Sequence, residues 1–308
     1  MARAAFFDRI LEAGSLDDVR QGIGDTLIGE RLGAAAQREL ADTTVRQAYR
    51  GIAQELRGHS PSPDVAELVL CGVELRSLKN FIKRRHLGME ASTVASRYGE
   101  GAWERIWAGL EVELPPLFAG VVASARAAFR AGPAQWGLFD AAFDSASLRT
   151  LCDEAERIGC AFIVQYYRRF DAVKGIELLW RARMLGLGDQ VQDVLIRGRQ
   201  DRELFASLRR GDLREWPAMI VRSLVGMEAG ALAPESEAQA VRAFVRAADA
   251  WLMDFARQAQ RVAFGPERVF GCLVGLDAEA HNVAMAVVGR ARGISASRLR
   301  GHLRACYV

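Results

Sequence analysis

The chain has 308 residues, half of them apolar, enough to bury a core and to exclude disorder over most of its length. Its 41 Lys plus Arg against 38 Asp plus Glu leave a formal charge of +3. Cut at residues 100 and 200, the first two thirds are balanced and the last holds 15 basic against 12 acidic residues, so a chain-wide nucleic-acid footprint is disfavoured. The longest stretch without Asp, Glu, Lys or Arg is 12 residues, Leu114 to Ala125, and it contains Pro115 and Pro116. A membrane helix needs about 20 apolar residues, so no span is expected. The first residues carry Asp8 and no long apolar run, which does not read as a secretory signal. The expected location is the cytosol.

Five cysteines, Cys71, Cys152, Cys160, Cys272 and Cys306, are odd in number and scattered in apolar contexts. They read as small buried hydrophobes in a reducing compartment. The eight-residue step from Cys152 to Cys160 matches no zinc spacing. Only three basic residues are Lys (Lys79, Lys83, Lys174), which reads as coding bias.

In chain order, Ser15 with Asp18 makes a capping pattern for a helix expected to carry on through Val19, Ile23 and Leu27. Trp103, Trp107 and Leu110 have helical spacing and read as core. Tyr166, Tyr167 and Phe170 interleave with Arg168 and Arg169, which reads as the end of an amphipathic helix before base stacking. Ser236 with Gln239 opens a helix whose apolar stripe runs Val241, Phe244, Val245, Ala248, Trp251, Leu252 and Phe255. No segment sustains period-two alternation, so the fold class is all-α.

Three segments share one grammar of acid, polar residue three later, apolar pair, basic residues and glycine. The first runs from Glu74 through Ser77, Phe81, Ile82, Arg84 and Arg85 to Gly88. The second runs from Asp171 through Lys174, Leu178, Leu179, Arg181 and Arg183 to Gly186. The third runs from Glu279 through Asn282, Val287, Val288, Arg290 and Arg292 to Gly293. Each reads as a four-turn helix, with the acid in its first turn and arginines in its last complementing the helix dipole. Glycine supplies a left-handed stop. A weaker element, a short apolar helix followed by a charged turn, precedes each, at Phe7 to Asp18, Phe139 to Arg149 and Phe205 to Arg214. Starts 97 and 108 residues apart divide the chain into three helical units, 1–100, 101–200 and 201–308.

Catalytic chemistry is not expected. No glycine-rich loop precedes Lys-Ser/Thr, and Gly22 with Gly24 and Gly186 with Gly188 are isolated pairs that follow no strand. The four histidines (His59, His86, His281, His302) lack metal-ligand spacing; His86 reads as a solvated helix end. No catalytic residue, metal or cofactor is assigned.

The second segment, together with Leu78, Lys79, Asn80, Phe81, Ile82 and Lys83 before it and Asn282, Met285, Val287, Val288, Arg290, Arg292, Gly293 and Ile294 after it, resembles the C-subunit family of the V-type and A-type ATPases. Its eukaryotic counterpart is known as the d subunit. The family places Asn three residues after the acid; here Ser77 and Lys174 stand there and Asn282 matches. The resemblance covers roughly residues 6 to 308 and implies three pseudo-threefold helical domains forming a funnel-like socket. It implies a non-catalytic central-stalk rotor part on the cytoplasmic face of the membrane. Its partners would be the shaft subunits and the proteolipid ring, within a hetero-oligomeric complex that links ATP hydrolysis or synthesis to H+ or Na+ transport. Glu74, Lys79, Asn80, Asp171, Arg181, Arg183, Glu279, Asn282, Arg290 and Arg292 form the repeat signature, read as structural. The basic C-terminal segment makes Arg298, Arg300 and Arg304 candidate partner-interface residues. The alternatives are an all-helical interaction scaffold and an RNA-binding protein using the same arginines.

Overall fold

A computed structural model describes residues 1, 4–13, 15–36, 42–90, 96–98, 101–108, 116–130, 136–197, 199, 201–224, 226–227 and 237–308. Among them every regular element is helical and no strand occurs, as the apolar periodicity requires. The helices are α1 (Ala4–Glu12), α2 (Leu16–Ile23), α3 (Leu27–Ala36), α4 (Asp42–His59), α5 (Pro63–His86), α6 (Ala102–Ala108), α7 (Pro116–Arg130), α8 (Trp136–Ile158), α9 (Ala161–Met184), α10 (Asp189–Ile196), α11 (Arg202–Arg210), α12 (Trp216–Ser223), α13 (Glu237–Arg257), α14 (Pro266–Ala291) and α15 (Ala296–Arg300). A 3-10 turn at Gln258–Arg261 follows α13.

Local chemistry explains the boundaries. Ser15 and Asp18 form a full capping box at the start of α2, with reciprocal bonds of 3.1 and 3.0 Å. That helix stops at Ile23, so it does not reach Leu27, which begins α3 and is exposed. The break is chemical. Thr26 donates its hydroxyl to the Ile23 carbonyl and accepts from the Gly29 N–H, closing one helix and capping the next. The α13 stripe is as expected, with Val241, Phe244, Ala248, Leu252 and Phe255 buried; Ser236 lies outside the described residues. Trp103 is buried and Trp107 half-buried, while Leu110 is outside the described residues.

The repeat segments are not four-turn helices. They are the C-terminal parts of α5, α9 and α14, which have 24, 24 and 26 residues. No proline separates each acid from the apolar residues before it, so the helix starts much earlier, at Pro63, Ala161 and Pro266. The acids therefore sit in mid-helix and do not serve the dipole. The weaker preceding elements also differ from expectation: Phe139 to Arg149 lies wholly inside the 23-residue α8, and Phe7 to Asp18 is two helices, not one. Tyr166 and Tyr167 are buried within α9, not at its end, because the helix runs on without interruption to Met184.

The stops repeat closely. Gly88, Gly186 and Gly293 all take the left-handed conformation, with φ of 66°, 62° and 69°. The next residue's N–H reaches back five positions each time, from Met89 to Arg84, Leu187 to Ala182 and Ile294 to Gly289, at 2.9 Å. This is a Schellman closure, available cheaply only to a residue without Cβ.

The described chain divides into two compact units, Met1–Leu70 with Leu252–Val308, and Cys71–Trp251. In the first, α14 is the central element and packs against α1, α2, α3, α4 and α15. Ala53, Ala66, Leu70 and Leu273 are fully buried there, flanked by Leu56, Val69 and Val269. In the second, α8 is surrounded by α7, α9 and α10. Ala141, Ala182 and Leu195 form one cluster, and the Trp180 ring packs against Trp216 and Phe244 with centroids 5.4 and 5.8 Å away. Burying a large apolar side chain such as Leu195 or Phe244 is worth about 1.5–3 kcal/mol. None of the five cysteines is in a disulfide; Cys71 and Cys306 are buried and the others half-buried.

Candidate functional site

All three repeat acids are buried: Glu74, Asp171 and Glu279 are 0%, 5% and 3% exposed. A buried carboxylate is costly unless hydrogen-bonded, and each has a partner. Glu74 accepts from the Arg97 backbone N–H at 3.4 Å. Glu279 accepts from the Ile28 N–H at 3.4 Å, in the first turn of α3, where helix N–H groups have no partner within their own helix. A negative group there also suits the α3 dipole. Asp171 instead pairs with the buried guanidinium of Arg199, which also donates to the Leu195 carbonyl at 2.8 Å and approaches the Ser145 hydroxyl. Burial pushes the Asp171 carboxyl up, while Arg199 pulls it back down. Nothing in the spacing of the sequence marks Arg199 as this partner.

The position three after the acid does different work in each helix. Lys174 pairs with Glu177 at 2.9 Å, and Arg181 joins the same carboxylate at 2.7 Å. Asn282 donates to the Arg304 carbonyl at 3.0 Å and accepts from the Arg304 N–H at 2.8 Å. An amide has both the donor and the acceptor for this two-bond reading of a backbone. It holds the C-terminal segment against α14. Ser77 is half-buried and Asn80 exposed.

The signature arginines Arg183 and Arg290 do not serve the dipoles of their own helices. Arg183 reaches the carbonyls of Leu208, Arg209 and Gly211 at 3.4, 2.6 and 3.3 Å, closing the C-terminal end of α11. Its guanidinium also lies 5.8 Å from the Trp216 ring centre. Arg290 reaches the Ala13 carbonyl at 2.8 Å, just past the end of α1. Both are caps of another helix, which brings two elements together while satisfying orphan carbonyls. Arg292 is exposed and meets no acid among the described residues.

Two of the three lysines make a cluster that composition alone reads as coding bias. Lys79 on α5 sits 2.7 Å from Asp144 and 3.0 Å from Asp140 of α8, and Lys83 lies 2.7 Å from Asp140. A signal for it exists in the sequence: both pairs have i,i+4 spacing, so each presents one helical face. Burial pushes the Asp144 carboxyl up against the pull of Lys79.

The C-terminal candidates lie in the first unit. Arg300 binds Asp8 at 3.0 Å and also Glu12; Arg304 binds Asp277 at 3.0 Å. Arg298 is exposed and meets no acid among the described residues. Of these arginines only Arg300 draws on acids outside the last third; Asp277 belongs to the same third as Arg304. Beyond Arg304 the tail runs along α14. Arg257 donates to the Cys306 carbonyl at 3.0 Å and Gln260 to that of Tyr307 at 2.6 Å. The Tyr307 side chain lies so close to Gly275 that a Cβ there would stand 2.5 Å from the Tyr307 Cβ. His281 is bound to the His302 carbonyl at 3.3 Å, and burial beside Arg304 pushes its imidazole down to about 4.

Among the described residues no group of His, Cys, Asp or Glu could hold a metal, and no helix is long and apolar enough to cross a membrane. Burial pushes the Cys152 thiol up to about 12, far from a nucleophile's range. The described residues show a set of long helices with buried acids, crossed caps and uniform ends. That defines an all-helical protein organised around packing and contact surfaces. Residues 3–302 match the family model of the ATP synthase (C/AC39) subunit, nearly the whole chain, and the protein belongs to that family of V/A-type ATPase subunits. Comparison with curated proteins gives no match.

Proposed function

We propose that this protein is the non-catalytic central-stalk part that couples the rotating shaft of a V/A-type ATPase to the membrane proteolipid ring. It would thereby link ATP hydrolysis or synthesis to H+ or Na+ transport. The family match over residues 3–302 carries the reading. A torque-transmitting part needs stiffness, and the buried acids, the crossed Arg183 and Arg290 caps and the filled cores are devices that resist deformation. The repeated closures at Gly88, Gly186 and Gly293 support a division into three related units of about 100 residues; their arrangement as a pseudo-threefold socket is what the family resemblance implies. The protein would sit peripherally on the cytoplasmic face.

Among the C-terminal arginines, Arg298 is the best placed to meet an acidic partner surface, since Arg300 and Arg304 are committed to Asp8, Glu12 and Asp277. The RNA-binding alternative gains nothing from arginines already held by acids. The test is purification of the tagged protein from its own cells. Co-purification of the nucleotide-binding head, shaft and proteolipid ring is the expected result. Deletion of the gene should leave ATP hydrolysis in the detached head while abolishing ion pumping by membranes. Recovery with RNA, or with no ATPase component, would sink the reading.

A further inference from the structure

The described residues include seven large apolar side chains that are exposed, and four of them, Leu87, Met89, Met184 and Leu185, belong to the ends of α5 and α9. These two ends adjoin one another in the Cys71–Trp251 unit. The His86 ring stands 5.8 Å from Trp136, the first residue of α8. Leu187 lies so near Gly137, the next residue, that a Cβ there would stand 3.1 Å from its side chain. Trp107 completes the group, 6.1 Å from His86 and half-buried like Trp136.

Folding does not explain the exposed leucines. In a Schellman closure the useful apolar contact is made by the residue after the glycine. In α9 that residue is Leu187, which packs with Leu195 and Ala182. Leu185, before the glycine, is 73% exposed, and Leu87 at the same place in α5 is 63% exposed. At the corresponding place after α14 stands Arg292.

Charge indicates what covers them. Arg85 is exposed and forms no ion pair among the described residues, Arg84 before it is half-buried with its Nε out of solvent, and the nearby acid Asp189 is held by Arg209. His86 adds no positive charge near neutrality, because burial and then Arg85 push its imidazole down. Aliphatic tips beside two such arginines, with half-buried tryptophans behind them, have the composition of a surface that enters the headgroup layer. We propose that this end of the unit binds an anionic phospholipid surface, with Leu87 and Leu185 inserted and Arg84 and Arg85 on the headgroups. Such binding is independent of the proposed stalk role, because it requires no other protein.

The experiment is sedimentation of the full-length protein with vesicles of phosphatidylcholine, alone or mixed with phosphatidylglycerol, at low and high salt. The wild type should partition onto the anionic vesicles and be released by salt. The double variant Leu87→Ser with Leu185→Ser should lose about tenfold in partition. Arg84→Gln with Arg85→Gln should lose about fivefold per charge at low salt. None of the four positions is buried, so an unchanged circular dichroism spectrum and melting curve would separate lost binding from lost fold. Failure of the wild type to sediment with anionic vesicles, or wild-type binding by the leucine variant, overturns the proposal. So does a leucine variant that binds vesicles normally yet no longer assembles with the ATPase, which makes this end a protein contact. Failure of the stalk reading shows separately, in the co-purification.

Discussion

Helices α9 and α14 are built to the same plan and finish it differently. Both bury an acid in mid-helix, send an arginine to cap a neighbouring helix, and close on a left-handed glycine. In α9 the acid is neutralised by Arg199 and the residue before the glycine is a bare leucine. In α14 the acid caps a helix N-terminus, and the chain beyond the glycine turns into α15 and a tail that returns along the helix. Leu299 of α15 fills the space that a side chain at Gly289 would need. The difference teaches that one local grammar sets how a helix stops, while the residues beyond it decide whether that end is covered by the chain itself or left for something else.

The largest expected effect lies in how the acids are satisfied. Arg199→Ala should destabilise the protein by about 3–5 kcal/mol, because Asp171 is left buried and unpaired. Adding Asp171→Asn should recover part of the loss in urea unfolding. A loss below about 1 kcal/mol in the single variant would mean that the pair is solvated and that α9 and α14 do not differ here.

The covered end of α14 comes next. Gly275→Ala places a Cβ 2.5 Å from the Tyr307 Cβ, so either the tail or the helix must shift. A cost of about 1–3 kcal/mol is expected, with earlier cleavage of the C-terminal segment in limited proteolysis. Wild-type protection would show that the tail is not seated on this helix.

Gly186→Ala and Gly293→Ala sharpen what the helices share. Neither site has an atom within 4 Å of an added Cβ, so only the left-handed backbone opposes the change. Each should cost about 1–2 kcal/mol, and the two costs should agree. Unequal melting shifts would show that the closures are not equivalent.

His281 gives the α14 end a pH dependence of its own. Its folded-state value near 4 lies below the ordinary 6.5, so folding favours the neutral ring. The unfolded chain binds the extra proton first, and stability falls as pH drops from 6.5 toward 4. Asp277, Arg304 and Arg46 face the ring and are present in both forms. His281→Gln should flatten that part of the stability profile; an identical profile would place the sensitivity elsewhere. The smallest effect belongs to the uncovered end. Leu185→Ser should change stability by less than about 0.5 kcal/mol, since the side chain buries little. A larger loss would mean that Leu185 is part of the core.

Much of the fold is legible in the residues alone. The stripe from Val241 to Phe255, the box at Ser15 and the three glycine stops follow from periodicity and from the φ values open to each residue. The repeated Leu-Gly at 87–88 and 185–186 is equally visible, though nothing in it shows that the leucines face water. Helix lengths are harder to read, because an acid before an apolar run looks like a first turn, and only the absence of a proline upstream says otherwise. The partners are not legible. Arg199 is 28 residues from Asp171, Arg300 is 292 from Asp8, and Ile28 is 251 from Glu279.

Sequence by itself determined the all-helical class, the three matching helix ends and, through their order, the family. Those are properties of neighbours along the chain, set by side-chain spacing and backbone sterics. Tertiary structure alone decided which acids are buried, which arginines are already held, and which apolar ends stay in water. Each of those depends on how far burial removes a group from solvent, and burial is set by residues distant in sequence that arrive from other helices.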